Sequence, residues 1–328
     1  MRNAALILLA AAVAACGGSS SGGSLETQSR NAVPTKSAVA MSSPKGGTKL
    51  AGSPYDTNGL NRDAYNADSK VGDVSTYAAM SYVLAVGING GTAWTLGLIE
   101  AVVASPATSC TSDTCTWGPG SQASDTNQYK LTVTKVGDSH FTYALQAEPK
   151  SKPGSGFITF ISGTAVSTAI PHVGSGEVII DFDAAKKLDS PGNDTGKLTI
   201  DYSNVGNITL SATGLGLKDD QHPGQTVNVA YVFSQTPTQG DLDVAFRNTG
   251  SQNQVSLHSR WQQGGAGRGD AQLSLSNSTG SIKFHESECW GASFGVVYFK
   301  SDDTSKVTSG VETDCAFQTA AYGSITAP

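Results

Sequence analysis

The sequence contains few aromatic residues and few charges. Aromatic residues make up 7% and charged residues 15% of its 328 positions, and the formal net charge is −6. The basic residues form no cluster, and a mildly acidic chain of this kind does not attract nucleic acid or anionic lipid headgroups. We therefore expect no nucleic-acid partner and no binding to charged headgroups.

The spacing of a metal or phosphate site is also missing. The five histidines are scattered without an HxH or HExxH pattern, and the cysteines lack the CxxC pairs common in zinc sites. The glycine-rich stretch at 264–269 has no Lys-Ser/Thr pair and so differs from a phosphate-binding loop. The sequence predicts no cofactor and no metal, and leaves open only a centre assembled from distant side chains.

The N-terminal residues have the pattern of an export signal. Arg2 precedes an unbroken apolar run, AALILLAAAVAA, which is too short to span a bilayer and ends in small residues. We interpret residues 1–15 as a signal peptide. The sequence Val13-Ala14-Ala15-Cys16 resembles the lipobox of bacterial lipoproteins. That resemblance implies a diacylglycerol on Cys16 and, because Gly17 rather than aspartate follows, anchoring in the outer membrane of the cell envelope.

A long polar region follows the cysteine. Residues 16–70 are rich in glycine and serine and contain few hydrophobic residues, which is typical of a flexible linker. We predict a lipidated tether over this range and one β-rich globular domain over 71–328. An acyl anchor would then be the contact with the membrane.

The one apolar block after the signal peptide predicts helices. Within residues 71–105, Asn89-Gly90-Gly91 divides the block into two segments. Either Asp73 or Ser75 is the candidate N-cap of the first segment and Thr92 that of the second, which Ser105-Pro106 ends. We predict an αα-hairpin that the rest of the fold largely covers. A buried pair of β-strands is the alternative, because the block is rich in Val, Ile and Thr.

Residues 106–328 predict an antiparallel sheet. Apolar residues alternate with polar ones, as at Tyr129, Leu131 and Val133, and short turns separate the segments. Strands do not alternate with helices, so a parallel sheet is not expected. The predicted fold class is mainly β: a large, curved antiparallel sheet or half-barrel meander, with the N-terminal αα-hairpin packed on it.

Four further cysteines predict two disulfides. An even number in an exported chain favours disulfide bonds, and Cys110, Cys115, Cys289 and Cys315 allow three pairings. The short loop CTSDTC makes Cys110–Cys115 the most economical pair, which leaves Cys289 with Cys315. This loop also positions Trp117, either as a residue that covers the edge of the core or as a contact for sugar or lipid. Trp94 is a second candidate ligand contact.

Three short motifs suggest chemistry only weakly. Gly291-Ala292-Ser293-Phe294-Gly295 matches the G-x-S-x-G elbow of serine hydrolases, but a strand is predicted after it and no histidine follows it. Arg268-Gly269-Asp270 resembles an integrin-binding tripeptide at a predicted hairpin tip. Asp181 with Asp183, and Asp241 with Asp243, are spaced to share one face of a strand. Such pairs bind calcium or act as acid and base, but a solvated sheet face needs the same residues.

Together these features indicate a non-catalytic lipoprotein of the cell envelope. By analogy with curved sheets that helices close, it would bind an apolar ligand between the hairpin and the sheet, or it would serve as a structural scaffold. The alternatives are a serine hydrolase that uses Ser293 and a surface adhesin.

Overall fold

A computed structural model describes residues 23–44, 69–189, 194–218, 224–250, 253–277 and 280–328. The predicted signal peptide, Cys16 and most of the predicted tether lie outside these residues. Trp94 belongs to a described helix, but its side chain is outside the description.

Fifteen antiparallel strands follow one another in the sheet in the order of the sequence. This arrangement confirms the predicted antiparallel meander and the mainly β fold class. The strands are β1 (Ser109–Cys110), β2 (Thr114–Gly120), β3 (Asn127–Lys135), β4 (His140–Pro149), β5 (Ile158–Ser167), β6 (Gly174–Asp181), β7 (Lys197–Ser203), β8 (Ile208–Lys218), β9 (Thr226–Gln235), β10 (Gln239–Asn248), β11 (Gln254–Gln262), β12 (Gly267–Asn277), β13 (Gly280–Trp290), β14 (Val296–Ser301) and β15 (Ser309–Gly310). In the described part of the chain, three α-helices accompany them: α1 (Leu25–Ala32), α2 (Thr76–Val103) and α3 (Phe182–Ala185).

The alternation of side chains gives the sheet an apolar inner face and a polar outer face. The pairing register aligns Val133, Tyr143, Val178 and Ile200 in one inner row, and each is at most 3% exposed. Helix α2 contacts β2 and β3 near one edge of the sheet and β11, β12 and β13 near the other. A sheet whose two ends reach the same helix is curved around it, so α2 lies against the concave inner face.

The predicted αα-hairpin is wrong, because α2 is one continuous helix of 28 residues. Asn89 does not turn the chain; its side-chain amide accepts a hydrogen bond from Met41 N (2.8 Å) and donates one to Met41 O (2.7 Å). Glycine costs about 1 kcal/mol in a helix interior. Burial of apolar residues on both sides of Gly90-Gly91, such as Ala85 and Leu96, outweighs that cost.

By length and composition alone, α2 would be able to cross a membrane. Core helices of soluble proteins satisfy the same criterion, and 44% of the apolar window of α2 is buried within the fold. Length and apolarity therefore give only weak support for a membrane span.

The tether prediction is also wrong for residues 24–44, which fold against the domain. Ser24 caps α1 through Thr27 N (3.3 Å), and Arg30 donates hydrogen bonds to the main-chain oxygens of Val103 and Ser105 at the end of α2. After α1, a 3₁₀ turn at Lys36–Ala38 leads to a stretch without regular secondary structure. The few apolar residues of this region are spaced so that nearly all reach the core, where Val33, Ala38, Val39 and Met41 are at most 4% exposed.

A buried carboxylate holds the start of α2 on the sheet. Glu288 of β13 is 1% exposed and accepts hydrogen bonds from Ser69 Oγ, Ser75 Oγ and the main-chain N–H of Tyr77 (2.9 Å). Ser75 in turn accepts from Ala78 N (2.9 Å) as the N-cap of the helix. Burial raises the pKa of Glu288, although the three donors act in the opposite direction. The helix N-terminus is thereby paired with an acceptor that also complements its dipole.

Two more polar contacts connect α2 with the inner face. The Tyr77 hydroxyl donates to Glu286 (2.8 Å), which also pairs with the ammonium group of Lys306. One turn further along the helix, the hydroxyls of Ser81 and Ser259 are hydrogen-bonded, and both residues are fully buried. These contacts fix the rotation and height of α2 against β11 and β13.

Both predicted disulfides are confirmed. Cys110 pairs with Cys115 across the β1–β2 hairpin, and Cys289 of β13 pairs with Cys315. The indole of Trp117, next to the first disulfide, is 1% exposed and donates to Ser105 O (3.0 Å). Trp117 is thus a core residue with its polar atom satisfied, and its prediction as a ligand contact at the surface is wrong.

We expect Glu288→Leu to lower the free energy of unfolding by about 3 kcal/mol or more, because three buried donors lose their acceptor. Glu288→Gln keeps one acceptor oxygen and should cost less. Glu177→Leu, on the outer face of β6, is the matched control and should change the value by no more than about 0.5 kcal/mol. Urea denaturation of the three variants measures the difference, and equal effects of the two leucine variants would contradict this function of Glu288.

Candidate functional site

The predicted serine nucleophile lies at a turn between two strands. Ser293 is exposed in the turn between β13 and β14, where Phe294 N donates to Gly291 O (2.9 Å) and Phe294 has a positive φ of 65°. A strand follows, as expected, where a hydrolase elbow requires a helix. Among the described residues, no histidine forms a hydrogen bond with Ser293. The described part of the chain therefore lacks the serine–histidine contact of a hydrolase.

The Arg268-Gly269-Asp270 tripeptide is not at a hairpin tip, and this prediction is wrong. It lies inside β12, where Arg268 is 1% and Asp270 0% exposed, and their side chains pair with each other (Nε to Oδ1, 2.7 Å). Because β12 pairs with β11 on one side and with β13 on the other, the tripeptide does not form a loop. The two charges are used inside the protein and are not displayed.

The two aspartate pairs also have structural partners. The chain leaves β6 at Asp181, which caps α3 through Ala184 N (2.8 Å), while Asp183 accepts from Gly196 N (3.1 Å). They therefore do not share a strand face, contrary to the prediction. Asp241 and Asp243 do share the outer face of β10. The described residues include no group of three or more His, Cys, Asp or Glu side chains suited to a metal ion.

The outer face of β9–β13 is covered by the C-terminal segment, which we define as residues 311–328. Sheet side chains bind its main chain through a series of hydrogen bonds. These join Arg268 to Phe317 O (3.2 Å) and Gln318 O (3.1 Å), Arg260 to Thr319 O (2.8 Å), Asp243 to Ser324 N (3.0 Å), Gln254 to Ala327 N (3.1 Å) and Asn228 to Pro328 O (2.8 Å). The disulfide at Cys315 fastens the segment near its start.

Asp270 is the centre of this interface. Its carboxylate accepts from Arg268 Nε (2.7 Å), Arg260 Nη2 (2.9 Å), Ser287 Oγ (2.6 Å) and Ala321 N (3.0 Å). A fully buried charge is tolerated only when it is paired and hydrogen-bonded in this way. The sequence does not reveal the cluster, because Ala321 lies 51 residues from Asp270 along the chain.

His258 connects the same face to the segment. One ring nitrogen contacts Asp241 Oδ1 (2.9 Å) and the other contacts Ala321 O (2.6 Å). Burial alone would lower the pKa of His258, but the hydrogen bond and charge of Asp241 and the carbonyl of Ala321 outweigh it and raise the pKa. The protonated ring donates to both partners, so protonation strengthens attachment of the segment.

A polar cleft of about 240 Å³ opens between β12–β14 and the C-terminal segment. Its walls include His285 and Tyr322, whose rings lie 4.6 Å apart between centroids. Asp302 orients His285 (Nδ1 to Oδ2, 2.9 Å), and Tyr298 and Lys300 complete the wall from β14. Burial raises the pKa of both tyrosines. The sequence-based predictions missed this cleft; the only signal was the period-two spacing of His285 and Ser287.

A second, shallower groove of about 360 Å³ crosses the outer face of β3–β6. Hydroxyl groups dominate its lining: Thr132, Thr134, Thr142, Ser162 and Thr164 lie in it, together with the carboxylate of Glu177. Of the two, the cleft at β12–β14 therefore has the greater variety of charged and aromatic groups.

The concave inner face, where an apolar ligand was predicted, is occupied by the protein itself. Along α2, Ala78, Ala85, Leu96 and Ile99 are at most 1% exposed against the core. The Trp94 side chain lies outside the description, so its predicted ligand contact stays a prediction.

Comparison of the chain with protein-family models, with curated proteins and with solved structures finds no match. The chemistry of the described side chains is therefore the basis for assigning a function.

We expect His258→Asn to destabilise the protein by about 1 kcal/mol at about pH 5.5 and by less at about pH 9. A histidine with a raised pKa in the folded state stabilises the fold fully below its unfolded pKa, and this contribution is lost as the pH rises through the folded value. Urea denaturation at the two pH values measures the loss of unfolding free energy, and His140→Asn, at an exposed histidine, is the control. A larger loss of unfolding free energy at about pH 9 than at about pH 5.5 would contradict the raised pKa of His258.

Proposed function

We propose that this protein is a non-catalytic, lipid-anchored module of the cell envelope that presents the outer face of its sheet from a membrane surface. The folded body is the functional part in this proposal, and Cys16 would carry the acyl anchor. The destination would be the outer membrane, as the sequence after Cys16 implies.

The observation that carries the proposal is the filled interior. Helix α2 occupies the concave side that a carrier of apolar ligands would keep open, and its N-terminus is fixed by Glu288. An apolar pocket needs a lined cavity of several hundred cubic ångströms. The buried contacts of α2 favour a scaffold or display function over the carrier function suggested by the sequence.

The side-chain contacts of Ser293 and of the Arg268–Asp270 pair support the non-catalytic part of the proposal. The exposed Ser293 has no histidine partner among the described residues, and the buried Arg268–Asp270 pair binds the protein's own C-terminal segment. Both carboxylate oxygens of Asp270 are used in internal hydrogen bonds, so this group is not free to act on a substrate.

The two disulfides support an extracytoplasmic location. Disulfides persist in oxidising compartments and are rare in the cytosol. The second disulfide also fastens the C-terminal segment, and it would preserve the outer surface outside the cell, where chaperones and reducing agents are scarce.

Replacing Cys16 tests the anchor. We expect the unaltered chain in a bacterial host to incorporate labelled fatty acid and to sediment with envelope membranes, because two or three acyl chains hold far more strongly than one. Cys16→Ser should lose both properties, whereas Ser21→Ala, in the same polar stretch, should keep them. Membrane sedimentation of the serine variant together with an acyl-free unaltered chain would contradict the proposal.

A second part of the same experiment tests the absence of an apolar ligand and of catalysis. The purified chain, measured by native mass spectrometry, should take up no fatty acid or phospholipid in its interior, and a serine-reactive phosphonate should leave Ser293 unlabelled. Stoichiometric lipid uptake by the Cys16→Ser chain would restore the carrier function, and labelling of Ser293 would restore the hydrolase.

A further inference from the structure

The cleft between β12–β14 and the C-terminal segment contains polar groups that the fold itself does not use. Tyr298 is 5% exposed and lines the cleft, and the described residues provide no hydrogen-bond partner for its hydroxyl. The hydroxyl opens onto the cleft and is not sealed in the core, so a ligand or water can satisfy it. It is therefore a donor that the fold leaves available to a ligand in the cleft.

The guanidinium of Arg268 forms the inner end of the cleft. Its Nε binds Asp270, and its Nη1 binds Glu312 (2.9 Å) and the main-chain oxygens of Phe317 and Gln318. These four bonds use only two of the three nitrogens, which leaves Nη2 as the nitrogen available to the cleft. The bonds also hold the guanidinium rigidly, so a ligand would meet a donor that is already oriented.

Lys300 adds an uncompensated positive charge. It lies on β14 at the wall of the cleft, and in the described part of the chain it makes no hydrogen bond and no ion pair. The two acidic groups of the cleft are already engaged, Glu312 by Arg268 and Asp302 by His285 (2.9 Å each). The free donors therefore favour an anion, and a carboxylate is the anion that two nitrogen donors and a phenol hydroxyl match best.

The remaining walls favour a ring that carries hydroxyl groups. Tyr322 is 39% exposed and packs beside His285, and these two rings give the cleft an aromatic side. Glu312 uses only one carboxylate oxygen within the fold, and its second oxygen can accept a hydrogen bond from a ligand hydroxyl. A volume of about 240 Å³ is smaller than the ~300–1,000 Å³ of sites for drug-sized ligands and accommodates one ring.

We propose that this cleft binds a carboxylate flanked by hydroxyl groups, with a hexuronate ring as the ligand. Lys300, Arg268 Nη2 and the Tyr298 hydroxyl bind the carboxylate, and the aromatic side contacts the ring. The site is independent of where the chain is anchored. The same chemistry also occurs in small free hydroxy acids, which the experiment separates from a sugar.

The test measures binding of three probes to the full chain by saturation-transfer NMR and calorimetry. Methyl β-glucuronide should bind saturably. Methyl β-glucoside, which has the same ring without the carboxylate, should bind about tenfold more weakly or not at all, because charge-assisted hydrogen bonds are worth more than about 1.4 kcal/mol in total. Lactate represents the small free hydroxy acids. If lactate binds as tightly as methyl β-glucuronide, the carboxylate site is supported and its ligand is a small hydroxy acid.

Two lysine variants test whether the ligand binds in the cleft. Lys300→Gln should weaken glucuronide binding about tenfold. Lys283→Gln, an exposed lysine on the same outer face of β13 outside the cleft, should leave binding unchanged. No saturable binding of glucuronide or lactate, equal binding of glucoside and glucuronide, or equal weakening by the two lysine variants would each overturn the proposal. Both lysines are exposed, so neither variant should disturb folding.

Discussion

The hydrogen bonds between Glu288 and the start of α2 are the interaction on which the rest of the structure depends. In this protein α2 covers the concave apolar face of the fifteen-stranded sheet, and it must stay in one position to keep that face buried. Glu288 and the Tyr77–Glu286 contact hold the first turn of α2, and the Ser81–Ser259 contact fixes the next turn. The cost of burying this carboxylate, visible in its raised pKa, is offset by three donors and the helix dipole.

The outer face is organised by a different set of charges on the same strands. On β12 and β13, residues that point inward meet α2, and their neighbours that point outward meet the C-terminal segment. Gly269 approaches the Tyr77 ring so closely that an added Cβ would lie 2.7 Å from the Tyr77 Cβ, while Arg268 and Asp270 on either side bind the segment. Strands β12 and β13 therefore join the core to the surface cleft.

The sequence was sufficient to predict the sheet but not its partners. Period-two alternation predicts an antiparallel meander because each strand is half buried, and the short cysteine loop predicts its disulfide. The helix break at Asn89-Gly90-Gly91 was misread because Met41, 48 residues away, satisfies the Asn89 amide. The tether was misread at 24–44 because its composition is polar although its few apolar residues face the core. The cleft was not predictable, since Arg268, Tyr298 and Tyr322 meet only through the register of three strands and the path of the C-terminal segment.

The position of α2 inside the sheet is tested most directly by a cross-link between Ser81 and Ser259, whose hydroxyls are hydrogen-bonded in the core. In the double variant Ser81→Cys with Ser259→Cys, the account predicts a new disulfide, detected as a cross-linked peptide and the loss of two hydrogens from the intact mass. Ser81→Cys with Ser211→Cys, which places the second thiol on the outer face of β8, should form none. Two free thiols at 81 and 259, alkylated as readily as those of the control, would contradict the account.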